Sequence, residues 1–381
     1  MLAVAVPAAA QSGVAVTGTV RDAAGETLPG ANVYLSGTQR GAATDAAGRF
    51  RIDGVPPGAY RLVASFIGYR TAVRDIRVGS ADAGPFALTL ESTGVEGATV
   101  TVEAEGDARW RRRYERFRRI LIGESENAAQ TEIENPWVLD FRDRFGALTA
   151  TASAPLVIVN RALGYRLHYD LTAFEATDTR IRYDGEERFE ELAPADAAEA
   201  ARWATARTLA YRGSLRHLLQ ALRDGRAEAD GFAFTARRLS ADRQTLLEYV
   251  GRPIAEADLV ARVDSSETGA PGWYRLRADG VALGVTYARE PEVPAYLRSE
   301  WFREGRSATR DAQDSILVLS GPTALVDPRG DPEDPFAISV MQYLAFERLA
   351  DLVPAEFVPP TTTPQSEIQR RRPPSRGGRQ R

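Results

Sequence analysis

The sequence predicts an all-β sandwich of about seven strands at the N-terminus, followed by an α+β domain. Residues 14–104 alternate apolar and polar side chains in short runs separated by glycines, and a sandwich strand needs this period of two with one apolar face. Further along, strand-like runs are interrupted by helical patterns, which is typical of an α+β domain. A length of 381 residues and a hydrophobic content of 44% are enough for two domains with their own cores.

The N-terminal strands are identified from their apolar faces and from the turns between them. The apolar faces contain Phe50 and Ile52; Tyr60, Leu62, Ala64 and Phe66; Phe86, Leu88 and Leu90; and, closing the series, Val100 and Val102. Gly25 and Gly48 each follow an alanine at a position where a tight turn with positive φ demands glycine. Pro56-Pro57-Gly58 predicts a turn, because proline cannot donate to a strand ladder.

This region resembles the carboxypeptidase regulatory-like domain, a small transthyretin-like β-sandwich. The resemblance is carried by VTGTVRD at 16–22, LPGANVY at 28–34, TDAAGRF at 44–50, PGAYRL at 57–62 and SFIGY at 65–69. It implies an accessory module that is not itself catalytic, of a kind common in exported proteins of the Bacteroidota and their relatives. A second resemblance, to an uncharacterised family of such exported proteins, is carried by residues 160–171, 211–219 and 346–354.

The two ends of the chain bear on its location, and the N-terminus favours export. An apolar run over residues 2–7 and Ala8-Ala9-Ala10 before Gln11 are typical of the end of a signal peptide; the alternative is a frayed N-terminus. No run reaches the roughly 18 apolar residues that a spanning helix needs. The arginine-rich C-terminus predicts a disordered tail suited to peripheral contact with anionic lipid; the alternative is a tail that is simply solvated. We expect a location in the periplasm or at the periplasmic face of the outer membrane.

The predicted organisation has four segments. They are a signal-peptide remnant (1–11), a carboxypeptidase regulatory-like β-sandwich (12–106), an α+β domain of unknown function (108–357) and a disordered basic tail (358–381). The net charge of −4 argues against nucleic acid as a partner. The absence of cysteine excludes disulfides, a thiol nucleophile and cysteine-bound metal.

A helix is predicted over residues 108–122. Its apolar stripe, at spacings of four, three and four residues, contains Trp110, Tyr114, Phe117 and Leu121. The other faces carry Arg109, Arg111, Arg112, Arg113, Arg116, Arg118 and Arg119. One interpretation is contact with an acidic partner or with phosphate groups at a membrane surface. The alternative is a solvated face whose charge is offset by glutamates nearby.

Three further helices are predicted in the second domain. Asp196 is suited to cap the first of them. Ser214 is suited to cap the next, which Gly225 ends. The last spans about residues 344–352 and stops before Pro354.

The sequence favours a non-enzymatic protein. A zinc carboxypeptidase needs closely spaced histidine and glutamate ligands, and neither His168 nor His217 begins such a motif. Ser214, His217, His168 and Asp170 include the residue types of a hydrolase triad, but no Gly-x-Ser-x-Gly elbow is present. The simpler interpretation makes Ser214 a helix cap.

The candidate binding residues are Tyr211, Arg212, Arg216, His217, His168 and Asp170. The first four are suited to a polar pocket for a carboxylate, sugar or phosphate; the alternative is a structural network between helix and sheet. The acidic loop at 326–335 contains Asp327, Asp331, Glu333 and Asp334. Such loops can hold calcium, although Gly330 and Pro332 already explain a turn. We predict no cofactor and no metal.

The leading hypothesis is therefore an exported binding or assembly protein of the cell envelope. Its partner would be an envelope protein or a glycan or peptide ligand. One alternative is an uncharacterised envelope hydrolase acting on peptide or glycan, with the sandwich as accessory domain. Another is a subunit that pairs with a membrane protein through an exposed sheet edge.

Overall fold

The computed structural model describes residues 13–92, 108–144, 146–177, 181–239, 246–248, 251–278, 282–299 and 311–360. The predicted signal-peptide remnant, the strand residues Val100 and Val102, and the basic tail from residue 361 lie outside the described residues. The chain divides into two compact units, Met1–Ala98 with Asp264–Gly272 and Thr99–Val263 with Trp273–Arg381. The predicted boundary near residue 107 also lies outside the described residues and stays a prediction.

The first unit contains a β-sandwich. Its strands are β1 (Val14–Asp22), β2 (Asn32–Leu35), β3 (Gly41–Ala43), β4 (Arg49–Val55), β5 (Gly58–Ser65), β6 (Ala72–Val78) and β7 (Ala83–Leu90). They form two sheets, ordered β4-β1-β7 and β3-β2-β5-β6, with β7 parallel to β1. Val16, Phe50, Leu62 and Leu88 lie in one shared core, because alternate residues of a strand point to the same face. The predicted sandwich of about seven strands is confirmed.

The two glycine turns of the sandwich are also confirmed. Gly25 and Gly48 have φ values of 89° and 71°, a conformation that only glycine adopts without a steric cost. Each glycine N–H donates to an aspartate carbonyl three residues earlier, Asp22 and Asp45, at 3.0 and 2.9 Å. These bonds close the two tight turns.

The second unit begins with a six-stranded antiparallel sheet. Its strands are β8 (Thr131–Ile133), β9 (Leu139–Arg144), β10 (Ala147–Ala152), β11 (Leu156–Asn160), β12 (Tyr165–Ala176) and β13 (Ile181–Glu191). The order is β8-β11-β12-β10-β9, and β13 pairs with β12. β12 pairs with β11 through its first half, with β10 through its last residues and with β13 along its length. It is therefore the central strand.

The predicted N-terminal helix of this unit is α1 (Ala108–Leu121). It buries Trp110, Phe117 and Leu121 of the predicted stripe against the sheet. The Phe117 ring lies 5.5 Å from that of Phe141 and 4.7 Å from that of Phe174. The apolar stripe packs on the sheet, so the arginines are left on the other faces.

The helices that follow have the predicted caps. They are α2 (Ala197–Tyr211), α3 (Leu215–Asp224) and the short α4 (Ala227–Asp230). The Asp196 carboxylate accepts from Glu199 N at 2.7 Å, and Ser214 Oγ accepts from His217 N at 3.2 Å. Gly225, with φ 64°, ends α3. Each cap satisfies a backbone group that the helix itself leaves without a partner.

Two further antiparallel sheets occupy the rest of the described chain. One has the order β15-β14-β19-β20-β22, with β16 beside β14, and the other is β17-β18-β21. The strands are β14 (Phe232–Leu239), β15 (Leu246–Glu248), β16 (Pro253–Ile254), β17 (Val260–Arg262), β18 (Tyr274–Arg277), β19 (Ala282–Tyr287), β20 (Gln313–Leu319), β21 (Thr323–Val326) and β22 (Ile338–Gln342). Short helices are α5 (Glu256–Leu259), α6 (Ser265–Thr268), α7 (Pro294–Arg298) and α8 (Tyr343–Phe346), of which α6 belongs to the first unit. The mixture of strands and helices confirms the α+β prediction.

The predicted final helix at 344–352 is wrong. Helix α8 ends at Phe346, Glu347 and Arg348 are extended, and a 3₁₀ turn follows at Leu349–Asp351. The chain leaves the helix because residues 350–353 bond elsewhere. Ala350 N donates to Ile122 O at 3.2 Å, Asn160 Nδ2 donates to Ala350 O at 2.8 Å, and Arg216 Nη1 donates to Val353 O at 2.7 Å. This C-terminal clasp joins the end of α1, the end of β11 and helix α3.

We expect Gly164→Ala to destabilise the second unit. Gly164 has φ 70°, and a Cβ there would overlap the indole ring of Trp203. The matched control is Gly146→Ala in the β9–β10 turn, where φ is 80° and a Cβ would meet nothing within 4 Å. Overpacking should make the loss of unfolding free energy at Gly164 about 2 kcal/mol larger than at Gly146. Urea unfolding measures both variants, and equal losses would contradict the expectation.

Candidate functional site

The imidazole of His217 is held between backbone and carboxylate. Its Nδ1 accepts from Gly213 N at 3.1 Å, and its Nε2 lies 3.5 Å from Asp230 Oδ2. The bond from Gly213 assigns the proton of the neutral ring to Nε2. Burial lowers the pKa of His217 to about 4, although the Asp230 carboxylate opposes this. The ring is therefore neutral at neutral pH.

Ser214 is a helix cap and lacks the geometry of a nucleophile. Its hydroxyl donates to Tyr211 O at 2.7 Å and accepts from His217 N at 3.2 Å. A triad requires an imidazole nitrogen facing the hydroxyl, but both nitrogens of His217 face other groups. The triad interpretation is not supported.

The predicted binding residues fall into two groups. Tyr211, Arg212, Arg216 and His217 lie at the junction of α2 and α3. His168 and Asp170 lie on β12, where His168 Nε2 is 3.3 Å from Glu190 Oε2 on β13. Burial lowers the pKa of His168, with Arg188 adding to the effect and Glu190 opposing it.

The α2–α3 junction is tied to the acidic loop at 326–335. Tyr211 Oη donates to Gln220 Oε1 at 2.6 Å, and Gln220 Nε2 donates to Arg329 O at 2.5 Å. The Arg216 guanidinium lies 3.4 Å from Asp331 Oδ1 and also takes part in the C-terminal clasp. These contacts give Tyr211 and Arg216 structural partners within the second unit, and a binding role for the four residues stays a prediction.

In the acidic loop at 326–335, where the sequence analysis considered a calcium site, carboxylates pair with arginine side chains of the same chain. Asp327 is fully buried, and its Oδ2 accepts from Arg329 Nε and Nη2 at 2.9 and 2.8 Å. Arg216 and Arg329 hold the pKa of Asp331 below its usual value against the opposing effect of burial. Glu333 and Asp334 are exposed. Guanidinium groups thus supply the positive charge that calcium would, and no group of three or more metal-ligating side chains occurs in the described part of the chain.

An open basic groove lies along α1. It has a volume of about 680 Å³ and is lined by Arg111, Arg112, Arg116, Arg118 and Arg119, with Glu115 and Glu124. Arg118 is fixed by donating to Ala128 O and Thr131 O at 2.8 and 2.9 Å. Arg112 is exposed and forms no ion pair or hydrogen bond with the described residues. The arginines of this groove were recognised in the sequence. The opposite wall, which the loop at 123–129 contributes, was not.

A small acidic cleft lies between α2, β20 and α8. Its cavity volume is about 50 Å³, and its lining includes four carboxyls, Glu126, Glu290, Glu347 and Asp351, together with Arg212, Gln313, Tyr343 and Phe346. Burial raises the pKa of Glu347 well above its usual value, and the charges of Asp351 and Glu290 add to this. Asp351 Oδ1 accepts from Ser125 Oγ and Asn127 Nδ2 at 2.8 and 2.9 Å. Of the predicted residues, the cleft contains only Arg212.

Sequence reasoning missed the acidic cleft because no local pattern marks it. Gln313 begins β20, Glu290 follows β19, and Glu347 follows α8. They meet only when β19 and β20 pair and the chain turns after α8. The single available signal was Glu347 within the predicted final helix, where an acidic residue looks like an ordinary surface position.

Comparison with known proteins identifies the first unit. Residues 15–91 match the model of the carboxypeptidase regulatory-like domain. This region is therefore a carboxypeptidase regulatory-like domain, as the sequence motifs indicated. No curated protein matches the chain.

Similarity to solved structures is weak. One chain in a type II cohesin–X-dockerin complex from Acetivibrio cellulolyticus is 24% identical with a TM-score of 0.18, and the match covers 20% of this chain and 57% of that one. A proposed carbohydrate-binding protein from Bacteroides uniformis is 10% identical with a TM-score of 0.17, covering 49% and 69%. Scores this low carry no argument about function. Among the described helices, none has both the length and the hydropathy to cross a bilayer.

Proposed function

We propose that the protein is a non-enzymatic binding protein of the cell envelope whose second unit binds an acidic peptide segment in the α1 groove. The observation that carries this is the groove itself, where five arginines surround about 680 Å³. Guanidinium groups bind carboxylates through paired, charge-assisted hydrogen bonds. The accessory nature of the regulatory-like domain supports a binding role.

The spacing of the arginines fits an extended peptide. Arg112 and Arg116 are four residues apart on one helical face, which is a rise of about 6 Å. Alternate residues of an extended chain are about 6.6 Å apart. Acidic side chains at alternate positions would therefore meet successive arginines.

A hydrolase is less well supported by the same geometry. His217 and Ser214 are occupied in capping the α2–α3 junction. The acidic cleft, at about 50 Å³, has room for only about three or four water molecules. A sugar ring or a peptide bond with its flanking residues does not fit there.

We expect Arg112→Glu to weaken binding of a fluorescent peptide with glutamate at alternate positions. Reversing one contacting charge should cost roughly tenfold in affinity, and raising the salt concentration should weaken wild-type binding. Fluorescence anisotropy measures both effects. The matched control is Arg202→Glu on α2, which makes the same charge change on a side chain that is 67% exposed and lies outside the groove.

Two results would contradict the proposal. One is that the peptide fails to bind the wild-type protein. The other is that both variants lose the same affinity, because the loss would then follow from the change in net charge and not from the groove. The location is tested separately by fractionating cells that express the protein. Recovery in the cytoplasmic fraction alone would contradict a role in the envelope.

A further inference from the structure

We propose that Glu115 makes the α1 groove select a peptide with spaced carboxylates over a densely charged polyanion such as polyphosphate. Glu115 lines the groove together with the arginines. This role rests on the proposed function, because it concerns the ligand of the same groove. It makes Glu115 a specificity-determining residue, which the proposed function alone does not require.

Glu115 lies between two rows of arginines on the surface of α1. The first row contains Arg112, Arg116 and Arg119, and the second contains Arg111 and Arg118. Successive residues of an α-helix are about 100° apart around the axis, so the first row spans about 60°. By the same spacing Glu115 falls in the angle between the two rows. A ligand held by the arginines therefore passes close to this carboxylate.

Glu115 also lies level with a gap in the first row. A rise of about 1.5 Å per residue puts Arg116 about 6 Å beyond Arg112 along the helix axis. The same rise puts Glu115 about 4.5 Å beyond Arg112, between the levels of the two arginines. A ligand charge placed between these two arginines is therefore beside Glu115.

The carboxylate of Glu115 is available to act on a ligand. Its side chain is exposed and makes no ion pair or hydrogen bond with any residue of the described ranges. A glutamate often pairs with an arginine three or four residues away on a helix. Arg118 has that spacing, but it donates to Ala128 O and Thr131 O at 2.8 and 2.9 Å. The negative charge of Glu115 therefore faces the groove without a partner in the same ranges.

An extended peptide with acidic side chains at alternate positions avoids Glu115. These side chains are about 6.6 Å apart, which is close to the spacing of Arg112 and Arg116, so each carboxylate can meet one arginine. The intervening side chain points to the opposite face of the extended chain. No negative charge of the peptide has to occupy the gap beside Glu115.

Polyphosphate places its charges more densely. Every unit carries a negative charge, and neighbouring units share a bridging oxygen, so the charges are much closer together than the two arginines. A polyphosphate chain that follows the first row therefore brings a phosphate into the gap beside Glu115. The two negative charges repel each other, and salt screens this only partly at distances below the Debye length of about 8 Å.

The test measures how Glu115 changes the selectivity of the full chain. The fluorescent peptide with glutamate at alternate positions binds directly, and polyphosphate of defined length competes for it in the anisotropy assay. Glu115→Gln should raise the affinity for polyphosphate roughly fivefold more than it raises the affinity for the peptide. Glu115→Asp keeps the charge and should keep the preference of the wild-type protein for the peptide.

The control variant is Glu26→Gln, which removes an exposed carboxylate of the first unit outside the groove. Glutamine and glutamate have similar helix propensities, so Glu115→Gln should fold, and thermal unfolding checks this. Three results would overturn the role of Glu115 and leave the proposed function intact: an unchanged ratio of the two affinities in Glu115→Gln, the same change of ratio in Glu26→Gln, or no competition by polyphosphate even in Glu115→Gln. A wild-type protein that does not bind the peptide would overturn both.

Discussion

Replacing Asp327 by alanine will destabilise the second unit by about 3–5 kcal/mol. The Asp327 carboxylate is completely buried and serves four donors. Oδ1 accepts from Arg329 N and Asp331 N at 2.8 and 2.9 Å, and Oδ2 accepts from the Arg329 guanidinium. Alanine would leave two backbone N–H groups and a largely buried guanidinium without this acceptor, and such groups are costly when unpaired.

The control for this prediction is Asp327→Asn. Asparagine keeps an oxygen that can accept from the two backbone N–H groups, but it loses the charge opposite Arg329. Its loss of unfolding free energy in urea should therefore lie between those of wild type and alanine. Calcium should not raise the melting temperature of the wild-type protein, since Arg216 and Arg329 already neutralise the negative charge of Asp331 and Asp327 in the loop. A calcium-dependent rise would restore the calcium interpretation.

Acidification will destabilise the second unit through His217. Its pKa is about 4 in the folded protein against 6.5 for the ordinary side chain. Between these two pH values the unfolded chain binds a proton at this histidine and the folded chain does not. The contribution to stability is fully present above pH 6.5 and is lost as the pH falls towards 4. The whole difference corresponds to at most about 3 kcal/mol.

The effect of His217 is isolated by comparison with His217→Asn. Asparagine can still accept from Gly213 N but does not titrate. Asp327 and Glu347 act in the opposite direction, because burial raises the pKa of each and the folded state then retains protons. The difference in unfolding free energy between wild type and His217→Asn should shrink as the pH falls from 7 to 4. A difference that does not change with pH would refute this role of His217.

Local patterns were sufficient to predict the sandwich and the N-terminal caps of α2 and α3. The alternation around Phe50 and the glycines at 25 and 48 act within a few residues. Asp196 and Ser214 likewise bond only three residues ahead. Such short-range chemistry is visible in a sequence because its partners are adjacent in it.

The acidic loop and the acidic cleft depend on distant partners. Asp331 looked like a calcium ligand because Arg216, which pairs with it, lies 115 positions earlier in the chain. No local pattern marks Gln313, which is buried in the lining of the acidic cleft. The helical pattern at 344–352 was overridden by the bonds of the C-terminal clasp, since tertiary contacts outweigh helix propensity.

The C-terminal clasp also affects the order in which the two units can fold during synthesis. The N-terminus of a protein emerges first from the ribosome, and a domain completes its fold once its last essential segment has emerged. The strands of the β-sandwich are complete by Leu90, early in synthesis. By contrast, the clasp hydrogen bonds of Ile122, Asn160 and Arg216 cannot form until Ala350 and Val353 have been synthesised. The contacts of the clasp can therefore form only when nearly all of the described chain has been synthesised.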